Sequence, residues 1–331
     1  MKNTKFITEI ASSHQGNLKD LNFLAQQHLK LNSDYLKFQI FKTRNLIRKK
    51  SKSFNHFKKI EIPFKQWKKI IKKYNYKTNL ILEPFDTESY RFCKKFKKSV
   101  SVKISTSECN NIKLIIDALK NFKKIFINLS GLKSADIKKI IRVKKIRKYR
   151  KKIILMYGFQ SYPTNRSNLR IQLFKLLRDS GFKTGYADHS KNGINKNLIE
   201  TCKFILKKKC HYLEKHVCIS LKSKPLDHET SININDFNIF IKKINSKGKI
   251  KKFKYSKKRS IKEIKYSLSM HKFAFAKKKI LKNKKINLNQ IDFFRSSSSR
   301  EGLTRLDFYN NKIFSKKNIK KNQQIFPNMV F

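Results

Sequence analysis

Two histidines, His189 in GYADHS and His216 in LEKHVCIS, each close a short run of β-type residues, and Asp227 and His228 follow in KPLDH. Neutral imidazoles gathered where strand signals end suit a divalent metal such as Mn, Zn, Co or Fe(II), with water completing an open shell. A lone histidine is more often a satisfied core residue. Two on successive strands can face one another across a hydrogen-bonded pair, and Asp188 and Glu214 stand where carboxylates could orient them. His14 and His228 are open to a simpler role, capping a loop. Lys37 and Lys103 form a second set. Both alternate with apolar neighbours in strand-like runs, so both ammonium groups are expected to point into one interior. A buried ammonium needs anionic company. Either a substrate phosphate or carboxylate supplies it, or Glu9, Glu108 or Glu214 pairs with it internally, and spacing alone leaves both open.

These residues need a frame that brings strand ends together. Runs rich in β-branched and aromatic residues predict strands at 5–11, 35–41, 79–85, 101–106, 124–130, 152–158, 183–188 and 212–218. Amphipathic stretches of helical length lie between them, at 18–31, 65–74, 112–120, 135–146, 169–179 and 196–207, with a last one near 236–244. Alternation of strands and helices, with near-continuous apolar strands, implies parallel pairing with both faces covered. A (βα)8 TIM barrel in the α/β class is the economical solution, and its reactive groups sit at the C-terminal strand ends. Polar residues there are Glu9, Lys37, Gln39, Glu83, Lys103, Thr106, Glu108, Gln160, Tyr162, Asp188, His189, Glu214 and His216. The expected organisation is a barrel over 1–245, a basic linker over 246–260 that is almost all Lys, Ser and Gly at its start, and a small β-rich domain over 261–331. The serine run 296–299 is expected to be a mobile loop in that domain.

Composition narrows the function classes. The 331 residues carry 81 Lys and Arg against 21 Asp and Glu, a formal charge of +60. Such an excess ordinarily points to a polyanion. Here it is mostly Lys spread over helix faces and accompanied by Asn, Ile, Phe and Tyr, the signature of A/T-rich codons, whereas phosphate recognition favours Arg forks on one face. Nucleic acid is therefore disfavoured as a partner, and a polyanion-binding role on a barrel scaffold stands as the alternative. The five cysteines show neither CxxC nor paired spacing, so reduced thiols are expected. The N-terminal apolar run is broken by Glu9 and no stretch approaches membrane-spanning length, which predicts a soluble, cytoplasmic protein with no membrane partner.

The segments EIASSHQGN, YLKFQIF, EPFD, VKISTSE, YGFQSYPT, GYADHS, EKHVCIS and LDH, in this order, resemble the sialic acid synthase (nonulosonic acid synthase) family, and KFAFAKKKILKNKKINLNQIDFFRS resembles that family's C-terminal antifreeze-like (SAF) domain. The resemblance implies a transferase that condenses phosphoenolpyruvate with an N-acetylated amino sugar, N-acetylmannosamine or a 2,4-diacetamido hexose, and releases phosphate. Carried over, it implies that His189 and His216 bind a divalent metal, usually Mn, with Mg or Co as alternatives. Lys37, Lys103 and Thr106 would hold phosphoenolpyruvate. Gln39, Tyr162 and Asp227 would face the sugar, and Glu9, Glu108 and Glu214 would serve proton transfer and positioning. Arg295 would reach the N-acyl group across a domain-swapped homodimer, with Arg300 and Arg305 as rivals. The chain departs from the family pattern at Ser13, Glu83, Gln160 and Ala187, where Asn, Thr, Asn and Ser are usual, so a catalytically impaired sugar-binding homologue is a further alternative.

Overall fold

The computed structural model describes residues 4–158, 162–248, 250 and 254–331. The strands β1 (Lys5–Glu9), β2 (Tyr35–Ile40), β3 (Asn79–Pro84), β4 (Val100–Ile104), β5 (Ile125–Asn128), β6 (Ile153–Tyr157), β7 (Lys183–Asp188) and β8 (Tyr212–Cys218) pair in parallel in sequence order. β1 closes on β8, with Lys5 opposite Tyr212 and Glu9 opposite His216. The expected TIM barrel is therefore present, and each strand lies within two residues of its predicted bounds. Burial explains why: strands such as Ile153–Tyr157 are buried at every position, so an apolar run is the signal that a barrel strand cannot avoid giving.

Helices cover the outside, among them Leu18–His28, Phe64–Tyr74, Thr87–Lys94, Ile112–Asn121, Ser134–Arg142, Ile171–Asp179, Lys196–Leu206 and Phe237–Asn245. Asn17, Asp86, Asn111 and Asn195 cap four of them by accepting first-turn backbone N–H groups. Such caps stabilise by about 1 kcal/mol each and fix where each βα loop ends. The single helix predicted at 135–146 is interrupted at Val143, whose ψ of 118° is not helical, and a short helix Lys144–Lys148 follows.

Inside the barrel the two-residue period of the strands sorts side chains into layers. Tyr35, Phe126 and Tyr212 pack edge to face or tilted, with ring centroids 5.1–6.0 Å apart, and with Ile7, Ile81, Ile154 and Met156 they plug the barrel. Two residues further along the same strands stand Glu9, Lys37, Glu83, Asn128 and Glu214, and β4 adds Lys103. The chemistry therefore rests on an apolar floor.

A short strand β9 (Ser231–Asn233) pairs with the outer end of β8. Beyond residue 260 the chain forms the helix Ile261–Met270, then the antiparallel pair β10 (Lys272–Ala276) and β11 (Ile291–Arg295). An apolar cluster that includes Ala274, Ile280, Ile291, Phe293, Ile319 and Ile325 lies under them. The helix was not among the elements expected in this β-rich segment. Its start was encoded in Ser260, whose side chain accepts from Glu263 N at 3.1 Å. Of the expected linker, residues 249 and 251–253 lie outside the described residues. Its later part packs on the barrel, with Ser256 N donating to Leu169 O at 3.1 Å and Gln172 Nε2 to Lys257 O at 2.8 Å. Within the serine run, Ser296 Oγ donates to Gln324 Oε1 at 2.6 Å. All five cysteines are free and buried. No helix among the described residues is long and apolar enough to cross a membrane.

Candidate active site

The C-terminal strand ends open into a cavity of about 270 Å³ whose lining includes Lys37, Gln39, Glu83, Lys103, Thr106, Tyr162, His189, Glu214, His216, Asp227 and Arg295. Most of the predicted site residues thus meet in one place. The parallel register that sets Asp188 opposite Lys215 carries His189 to the side of His216. Their ring centroids are 5.2 Å apart, and Tyr162 packs against both at 4.8 and 6.2 Å. Burial holds both imidazoles neutral, pushing His189 down to about 4 and His216 well below its ordinary value, with His189 itself a further cause for His216.

Deeper in the barrel, the lysines are paired internally. Lys37 Nζ donates to Glu83 Oε2 at 2.6 Å and to Glu214 Oε1 at 2.9 Å, and it also forms an ion pair with Glu9. Lys103 Nζ donates to both oxygens of Glu214, at 2.7 and 2.9 Å, and lies 3.8 Å from Glu83. Burial alone would raise the Glu214 pKa, but Lys103 and Lys37 outweigh it and hold the carboxyl well below the usual range. Burial would likewise depress Lys103, yet Glu214 and Glu83 raise it. Of the internal partners open at the sequence level, Glu9 and Glu214 are realised, and Glu83 joins them.

Glu108 is the exception. Its Oε1 accepts from Lys272 Nζ at 2.7 Å and its Oε2 from Asn111 Nδ2 at 3.0 Å, and it does not line the cavity. Like Glu9, it stands outside the cavity lining, and it pairs with Lys272 of β10 rather than with Lys37 or Lys103. The same Lys272 donates to Phe85 O at 2.7 Å, so the pair ties β10 to the barrel. Asp188 accepts from Lys215 Nζ at 2.7 Å and from Ser190 N at 3.0 Å.

Around the mouth, Gln39 Nε2 donates to Glu9 Oε1 at 3.3 Å. Asp227 Oδ2 accepts from Ser12 N at 3.0 Å, and burial raises its pKa. Arg295 donates from Nε and Nη2 to Ser107 Oγ at 3.1 and 2.8 Å, with its guanidinium over Phe57 and Phe85. It reaches the cavity of its own chain. Neither rival lines that cavity: Arg305 lies over Phe293 and Arg300 over Phe326. His14 accepts from Gly16 N at 2.9 Å, the loop-capping role, while Nδ1 of His228 lies 2.9 Å from Pro225 O. Gln160 lies outside the described residues.

The NeuB family matches residues 24–256. The chain belongs to that family. N,N'-diacetyllegionaminic acid synthase of Campylobacter jejuni is 26% identical to this NeuB family member over 293 residues, which cover 81% of this chain and 85% of that one. Among solved structures, the spore coat polysaccharide biosynthesis protein spsE of Bacillus subtilis superposes with a TM-score of 0.80 at 18% identity, covering 99% of this chain and 95% of that one. The N-acetylneuraminic acid synthetase of Leptospira borgpetersenii gives a TM-score of 0.65 at 20% identity over 76% of this chain and 88% of that one. At these identities the structural likenesses establish the fold.

A divalent metal fits the donor set of this NeuB family member. His216 Nδ1 is buried with no hydrogen-bond partner among the described residues, burial favours the neutral form of both imidazoles, and the rings lie side by side, tilted at 54° with centroids 5.2 Å apart. Among the described residues no group of three or more His, Cys, Asp or Glu could hold a metal, so His189 and His216 are the pair that would hold one. Sequence reasoning missed Tyr266 and Met270, which bring the helix Ile261–Met270 into the lining, and Asn128, which enters from β5. Tyr266 stacks on Tyr162 at 5.9 Å. The spacing of Tyr266 and Met270, four apart on one helix face, was a usable signal once the Ser260 start was recognised.

Proposed function

We propose that this NeuB family member is a transferase that condenses phosphoenolpyruvate with an N-acetylated amino sugar, N-acetylmannosamine or a 2,4-diacetamido hexose, to a nonulosonic acid with release of phosphate. The observation that carries the reading is the meeting, in one cavity, of an adjacent neutral histidine pair and two buried lysines in a NeuB family chain. His189 and His216 would hold a divalent metal, manganese with magnesium or cobalt as alternatives, which when bound supplies a Lewis acid for the acceptor aldehyde. Lys37, Lys103 and Thr106 would bind the donor's carboxylate and phosphate. Gln39, Tyr162, Asp227 and Arg295 line the outer cavity and would contact the sugar.

In the reaction, C3 of the enolpyruvate forms a bond to the aldehyde carbon and the aldehyde oxygen gains a proton. Water adds at C2 and gives up a proton, and the C2–O bond to phosphate breaks. Glu9 and Glu214 would serve proton transfer and positioning: Glu214 lines the cavity and is bound by both lysines, while Glu9 stands outside the lining, held by Ala11 N at 2.7 Å and paired with Lys37. The segment beyond residue 260 would act as a SAF-like cover joined to the barrel by the basic linker. Exchange of that cover between two copies in a homodimer, and a cytoplasmic setting, belong to the same proposal. The test is phosphate release from phosphoenolpyruvate in the presence of Mn and a panel of acetamido hexoses. Release that depends on sugar and metal and falls at least about a thousandfold in His216→Ala supports the reading. No release with any sugar, from folded metal-loaded protein, overturns it.

A further inference from the structure

An ammonium group has three N–H donors and no acceptor. Lys37 donates to Glu83 and Glu214 and is ion-paired with Glu9, so its nearest anions are all carboxylates of the protein itself. The buried group as a whole holds three carboxylates against the two lysines Lys37 and Lys103, an excess of one negative charge. A phosphorylated donor brings further negative charge to the same ammonium groups. In a buried, low-dielectric setting, one carboxylate must yield first.

The three differ in how they are held. Glu9 Oε1 is anchored by Ala11 N at 2.7 Å and Gln39 Nε2 at 3.3 Å. Glu214 is bound by both lysines, with three contacts between 2.7 and 2.9 Å. Glu83 has one close bond, to Lys37 at 2.6 Å, and Lys103 is 3.8 Å away. It also lines the open cavity at the end of β3. Arg295 lines the same cavity and has no carboxylate within ion-pairing distance among the described residues, so it offers a displaced Glu83 carboxylate a cation to face.

We propose that Glu83 is a built-in competitor for the donor anion: it occupies Lys37 until the phosphate or carboxylate of the donor displaces it, and it thereby sets how tightly this site takes anions. The inference rests on the proposed donor class in that the anion of interest is phosphoenolpyruvate, but the competition itself is tested with inorganic phosphate. Glu83 is a specificity-determining residue here, since it acts by withholding Lys37.

The experiment is calorimetric titration of the full chain with inorganic phosphate, and separately with phosphoenolpyruvate, in wild type and Glu83→Gln. Glu83→Gln leaves two carboxylates against two lysines and is expected to bind both anions about tenfold tighter or more. Adding Lys37→Met is expected to abolish the gain. A merely structural Glu83 predicts the opposite, since loosening the cluster would weaken binding. Unchanged or weaker anion binding in folded Glu83→Gln overturns the inference. If Glu83→Gln does not fold, Glu83→Thr relieves the same charge with a smaller side chain and is judged by the same outcomes. The two claims fail separately. Tighter phosphate binding without nonulosonate from any sugar leaves the competitor standing and removes the synthase reading; product from wild type with unchanged anion affinity in Glu83→Gln does the reverse.

Discussion

Lys103 is almost fully buried and both its close partners are oxygens of Glu214, so the pair is a test of how the cavity floor is held. Lys103→Met would leave three carboxylates around one ammonium and is expected to cost about 3–5 kcal/mol, measured by urea unfolding; a loss below about 1 kcal/mol would show that the cluster relaxes freely. The pH dependence follows from Glu214. Its folded pKa lies below the ordinary carboxylate value, so its contribution is present above about pH 4.3 and is lost as pH falls from there toward the folded value. The urea midpoint of wild type should therefore drop below about pH 4, and that of Glu214→Gln should drop less over the same range. The lysines and histidines were legible in the sequence because a two-residue period decides which strand side chains face inward. The fate of the carboxylates was not. Glu108 sits one turn beyond a strand end, and what fixes its direction is Lys272, 164 positions away.

Among elements, the helix Ile261–Met270 carries the most structural consequence. Arg170 Nε donates to Glu263 Oε1 at 3.1 Å, both side chains are buried, and this ion pair holds the helix that places Tyr266 over the cavity. Glu263→Ala strands the Arg170 guanidinium and is expected to destabilise by about 3–5 kcal/mol. A conserved unfolding midpoint in that variant would contradict the docking role. The second tie is Glu108 with Lys272. Glu108→Gln and Lys272→Met should each destabilise, and the double variant should lose less than the sum; additive losses in this cycle would show that the pair does not couple. The barrel strands were readable because each is a buried apolar run bounded by polar turns. The C-terminal helix was hidden by its neighbours: the basic stretch before it and the β-type runs after it masked a start at Ser260 that rests on one side-chain bond.

At the scale of the whole molecule, a formal charge of +60 surrounds a cavity whose own buried cluster is net negative. The outer field should gather anions toward the mouth while the inner cluster resists them. If so, kcat/KM for phosphoenolpyruvate falls as salt rises from about 10 to about 300 mM, because screening shortens from about 30 Å to less than 10 Å. The value for the uncharged acceptor at saturating donor should change little; equal salt dependence for both would argue against steering. Net charge was legible in the composition, but its meaning was not, since composition cannot show that the interior opposes the surface. The account as a whole rests on one reaction, and the direct measurement is the mass of its product. Phosphoenolpyruvate carrying ¹⁸O in the C2–O–P bridge is incubated with the protein, Mn and the panel of acetamido hexoses. Expected are a product at the mass of one sugar aldehyde joined to pyruvate and phosphate that carries the label. A folded, metal-loaded protein that yields no joined product, or that releases unlabelled phosphate, would contradict it.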